Sequence, residues 1–182
     1  MTKKTTTHKH LKTSIVVDPY GAMEYSGTEE ADAHKRMFTA LLHPLKLTVD
    51  TPLCFNEDST SDLIVFDFGG MGFGNDLLGD NSRRLCRWAN DHPSSLCLIV
   101  SDWTFRHGVL REMQALGMFV RDVDEPPSVY EDDPPPTIEL QNVKLFKHYE
   151  RSQCDAVRAW FNLPKLTSSR WLQILNTDWK VA

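Results

Sequence analysis

Hydrophobic and polar positions fall into alternating blocks along this chain. Short continuous apolar runs stand at Ser14 to Asp18 (SIVVD), Leu45 to Val49, Asp62 to Phe68 (DLIVFDF), Leu96 to Ser101 (LCLIVS) and Met118 to Val123. Runs of that length suit strands covered on both faces. Helical patterns lie between them. Thr28 to His43 reads as a helix with Thr28 as N-cap and Glu29, Glu30 and Asp32 in its first turn, where acids complement the helix dipole. Asn81 to Asp91 places Leu85, Trp88 and Ala89 on one face and Arg83, Arg84 and Arg87 on the other, and Phe105 to Gly117 ends on a glycine suited to a C-cap. Five strands alternating with helices predict an α/β fold, a three-layer doubly wound parallel sheet of flavodoxin-like topology.

Charge divides the chain. Residues 1–136 hold 13 Lys/Arg and 21 Asp/Glu, a balance of −8, whereas residues 137–182 hold 7 and 4, a balance of +3. Between them runs EPPSVYEDDPPP, Glu125 to Pro136, with five prolines and four acids. Proline removes backbone donors and the carboxylates repel one another, so this stretch reads as an extended linker. The expected organisation is a disordered basic arm (1–13), the α/β domain (14–125), an acidic proline-rich linker (126–136) and a basic, Trp-rich carboxyl-terminal segment (137–182) forming a small α or α+β appendage. Within that appendage Thr137 to Phe146 shows partial strand alternation, and Ser152 to Asn162 and Thr167 to Asn176 read as two short helices joined by LPKL.

At 182 residues the chain is long enough to bury a core without staples, and no apolar run approaches the roughly 20 residues of a membrane helix. MTKKTTTHKHLKT has no apolar stretch behind it and is not read as a secretory signal. Cys54, Cys86, Cys97 and Cys154 show no CxxC spacing, and the seven histidines form no ligand motif, so a cytoplasmic protein without structural zinc is expected.

In an open parallel sheet, functional groups gather beyond the carboxyl ends of the strands. That rule selects Asp18, Asp67, Ser101 with Asp102, and Asp122 with Asp124 and Glu125. Local hydrogen bonding by Asp in turns is the structural explanation of such positions. If Asp18 and Asp67 converge, they suit a magnesium ion, although no cofactor is required. GGMGFGND (Gly69 to Asp76) follows the clearest strand but matches neither a Walker loop nor GxGxxG, so Gly69, Gly70 and Gly72 are only weak ligand-approach positions.

The stretches DLIVFDFGGMGFGN, RRLCRWANDHPSSLCLIVSDW and REMQALGMFVRDVDEPP resemble the core of a response-regulator receiver domain over residues 14–127. The resemblance implies Asp67 as phosphoacceptor, Ser101 as the hydroxyl position, Asp18 as a first-strand acid and the Gly69 carbonyl as a metal ligand. Glu125 before Pro126 stands where that family has a Lys, and Asp18 is followed by Pro19 rather than a second acid, so the resemblance is to a degenerate member. LIVFDFGG is also similar to the first motif of haloacid-dehalogenase-type phosphatases, with Asp67 as nucleophile, but Gly69 replaces the acid expected two positions on.

Trp160, Trp171 and Trp179 crowd the end of the chain, and FNLPKLTSSRWLQIL is loosely similar to a helix-turn-helix carrying Arg170. Such aromatics mark packing, self-association or a protein partner. The leading expectation is a non-catalytic regulatory or protein-interaction module. The alternatives are an enzyme acting on a phosphate ester or nucleotide at an edge site of Asp67 and Ser101, and a receiver-like domain with a DNA-binding tail.

Overall fold

The computed structural model describes residues 10–17, 26–52, 55–67, 75–100, 114, 117–126 and 138–176. Along the chain come β1 (His10–Val17), α1 (Ser26–Leu41), β2 (Lys46–Asp50), β3 (Leu63–Asp67), α2 (Asn75–Asp91), β4 (Leu96–Val100), β5 (Met118–Asp122) and β6 (Ile138–Phe146), then two helices, α3 (Arg151–Trp160) and α4 (Ser168–Asn176). Among the described residues six strands, all parallel, share one sheet of order β2-β1-β3-β4-β6-β5, a flavodoxin-like α/β arrangement. The chain steps from β1 to one side to form β2, then returns to form β3 and β4 on the other. Growth of the sheet therefore changes direction between β1 and β3.

The continuous apolar runs are central strands. β4 is buried throughout and β3 up to Asp67. Successive side chains point to opposite faces. Leu63 and Val65 join Met37, Phe38 and Leu41 in the core beneath α1, while Ile64 and Phe66 join Leu85 and Trp88 in the core beneath α2. Gly117, the expected helix C-cap, has φ 70° and its amide donates to Gln114 O. The rest of the expected helix over 105–117 lies outside the described residues except Gln114.

Several boundaries differ from expectation. β1 begins at His10, so residues 10–13 belong to the sheet rather than to a disordered arm. The cause is alternation, His10 and Lys12 outward and Leu11 and Thr13 inward, which the basic composition of the arm masks. Helix α1 starts at Ser26, which puts Thr28 inside the helix rather than at its cap, and α2 starts at Asn75, not Asn81.

The largest difference concerns the carboxyl-terminal segment. β6 lies between β4 and β5, so the sheet continues past the compositional boundary at the proline-rich stretch, of which 127–136 lie outside the described residues. Its charges are paired rather than solvated. Glu139 meets Arg121 of β5 at 3.1 Å and Lys144 at 3.7 Å. What remains of the appendage, α3 and α4, packs on the α1 face, with Cys154, Val157, Leu166 and Ile174 in the same core as Phe38. Trp160, Leu172 and Leu175 stay exposed. Among the described residues no helix is long and apolar enough to cross a membrane.

Candidate functional site

Register puts Val17, Asp67 and Val100 level at the carboxyl edge of the sheet. Asp67 has the same strand parity as Leu63 and Val65, so its side chain faces α1. There it meets His34, whose Nε2 lies 2.6 Å from Asp67 Oδ2, both side chains being about 15% exposed. His34 belongs to the helix that follows β1, and Asp67 ends β3. The pair therefore straddles the place where the sheet reverses its growth, the position at which open α/β sheets bind ligands.

Sequence reasoning found Asp67 and missed His34. The signal was present in the helix pattern, because Ala31, Met37, Phe38 and Leu41 form the buried stripe of α1 and His34 falls within it. A polar ring among those positions requires a partner at the sheet.

The pair sits in a shared electrostatic environment. Glu30, one turn before His34, has its carboxyl held above the usual range by burial and by the Asp67 charge, with His34 opposing. His148, two residues beyond β6, is pushed down to about 4 by burial first and then by repulsion from His34, partly offset by Asp67. Two carboxyls and two imidazoles from α1, β3 and the β6–α3 turn thus influence one another. With Nε2–H donated to Asp67, the neutral His34 ring carries its lone pair on Nδ1, a nitrogen able to take up and return a proton.

A second network lies along the same edge. Asp122, closing β5, accepts from Gln153 Nε2 at 3.1 Å and has Lys147 Nζ at 3.7 Å; Lys147 in turn reaches Glu150 at 3.0 Å. Because β6 is the strand beside β4, the residue that follows the neighbouring strand is Lys147, whereas Glu125 follows the outer strand and is exposed, 3.9 Å from Arg121. Asp124 is exposed.

Asp18, Gly69, Gly70, Gly72, Ser101 and Asp102 lie outside the described residues. Among the described residues no three His, Cys, Asp or Glu side chains form a group able to hold a metal ion. Burial pushes the Cys154 thiol up to about 12 and raises Cys97 as well, so neither is a ready nucleophile. No family model, no curated protein and no solved structure matches the chain.

Proposed function

We propose that the carboxyl edge between β1 and β3 is an enzymatic site in which His34 transfers a proton and Asp67 orients its ring, acting on a phosphate ester or nucleotide. The observation that carries this reading is the 2.6 Å His34–Asp67 contact at the reversal point of the sheet. A carboxylate behind an imidazole fixes its tautomer and stabilises the charged ring, which is what a general base or acid needs. Asp67 is engaged by His34, so it serves as an orienting group rather than as a nucleophile or phosphoacceptor.

The substrate class is motivated by sequence alone: Gly69, Gly70, Gly72 and Gly74 fall between the end of β3 and the start of α2, glycines permit close ligand approach, and a helix start favours anions. A turnover screen of phosphate monoesters and nucleotides tests the reading. Wild type is expected to turn over at least one class and His34→Gln to lose roughly a hundredfold or more, the usual contribution of a positioned acid or base. Equal rates in the two proteins overturn it.

The second reading, a regulatory or interaction module, draws on Trp160, Leu172 and Leu175, which leave an apolar outer surface on α3 and α4. A DNA-reading tail has less support. Arg170, its expected contact, donates to Ala40 O at 3.1 Å and to Gln173 at 3.0 Å, which ties it to the fold and away from phosphate.

A further inference from the structure

The carboxyl-terminal helices meet α1 at the end opposite its first turn, and arginines make the contact. The last turn of α1 contains no basic residue, and helix geometry leaves its final carbonyls, Ala40 and Leu41, in want of a donor and a cation. Arg158 of α3, only 6% exposed, supplies both: Nη1 donates to the Leu41 and His43 carbonyls, and Nε donates to Pro164 O at 2.7 Å. Arg170 of α4 adds a bond from Nη2 to Ala40 O. The α3–α4 connection is itself fixed, because Asp155 Oδ1 accepts the Leu166 amide at 2.7 Å and Arg151 Nη2 donates to Leu166 O at 2.6 Å. The end of α1, both helices and their connection therefore form one hydrogen-bonded block.

His34 and Leu41 are seven residues apart, about two turns, on the same stripe of α1. Apolar contacts along that stripe tolerate small slides and rolls of a helix, whereas hydrogen bonds are directional. A shift of about 1 Å would take the His34–Asp67 contact beyond hydrogen-bonding range. The geometry points to Arg158 as a positioning residue: by holding the carboxyl end of α1, it sets the axial position and roll that keep His34 against Asp67. This inference rests on the acid–base reading of that pair.

The test is proton NMR of the His34 side chain in the full-length protein. Wild type is expected to show a downfield, slowly exchanging Nε2–H resonance that Asp67→Asn removes. In folded Arg158→Met the proton should exchange roughly tenfold faster, the factor that follows from losing about one net hydrogen bond, and Arg158→Lys should fall between. Phe55→Leu, a core change beneath α2 on the other face, should destabilise the chain yet leave the resonance as in wild type. Should Arg158→Met fail to fold, Arg170→Gln, which frees the Ala40 carbonyl of α1 and, within α4, the exposed Gln173 side chain, is expected to exchange about threefold faster, a fraction of one net hydrogen bond. Wild-type exchange in the folded arginine variant, or equal loss in Phe55→Leu, overturns the positioning role. A wild-type spectrum without an Asp67-dependent resonance overturns the pair itself, and the clamp with it, so the two failures are distinguishable.

Discussion

The two edges of the sheet use polar side chains differently. At the amino edge the buried and long-range bonds close mainly on backbone: Asp62 Oδ2 accepts the Lys12 amide at 2.9 Å, Trp88 Nε1 donates to Ser59 O at 2.9 Å, and Asn142 Nδ2 donates to Ala89 O and His92 O at the end of α2, while Arg87–Glu57 and Ser59–Ser61 are side-chain contacts of the surface loop. These bonds satisfy groups that helix ends and loops would leave open. At the carboxyl edge the principal bonds join side chain to side chain, His34 to Asp67, Gln153 to Asp122 and Lys147 to Glu150. The His34–Asp67 pair brings two titratable groups together from separate elements. The amino edge ties loops and a helix end to the sheet, and the carboxyl edge brings an imidazole and carboxylates together from separate elements.

Trp88→Ala should break the amino edge hardest. It empties a fully buried site beneath the sheet and leaves Ser59 O without its donor, for a loss of about 3–5 kcal/mol in urea denaturation. The His34 Nε2–H resonance should persist wherever that variant remains folded, and its loss would show that the edges are not independent.

The next effect belongs to the carboxyl edge and depends on pH. His148 has its folded pKa lowered to about 4, so its contribution to stability is complete above the unfolded value near 6.5. As pH falls below that value the unfolded chain takes up the proton first, and stability declines until the folded state is protonated near 4. The half-buried ring reduces the full linkage to a loss on the order of 2 kcal/mol. Urea titrations from pH 7 to 4 on wild type and His148→Gln check this; the variant should lack that part of the decline.

Asp62→Asn weakens one exposed bond to the Lys12 amide and should lower stability by about 1 kcal/mol or less, with the carboxyl-edge imidazoles unchanged. Glu30→Gln should have the smallest effect and the opposite sign. A raised folded pKa means that the charged form is disfavoured in the fold, so stability is greatest below the unfolded pKa of about 4.5 and falls as pH rises through the folded value. Removing the charge should therefore stabilise the protein at neutral pH by less than about 1 kcal/mol, read from the urea midpoint.

Legibility in the sequence followed how local the determining physics is. β3 and β4 were readable because continuous apolar runs of strand length need no partner to be recognised. Asp67 was readable because it ends such a run. His34 was not, since its role depends on which face α1 turns toward β3, a tertiary fact carried only by its place in the buried stripe. β6 was seen as a strand but not as part of the sheet. The proline-rich stretch and the change in charge balance set it apart from the domain, and only pairing of Glu139 with Arg121 across the neighbouring strand and with Lys144 makes its charges compatible with burial. The docking of α3 and α4 likewise depends on Arg158 and Arg170 finding carbonyls more than a hundred residues away.

The contrast between the edges can be tested by following the histidine Cε1 resonances by NMR while titrating the protein with nucleoside monophosphates and simple phosphate monoesters. His34 and His148 mark the carboxyl edge, and His92, beside the end of α2, marks the amino edge. The account predicts saturable shifts at His34 and His148 with His92 unmoved. Shifts confined to His92, or no shift at either edge, would contradict it.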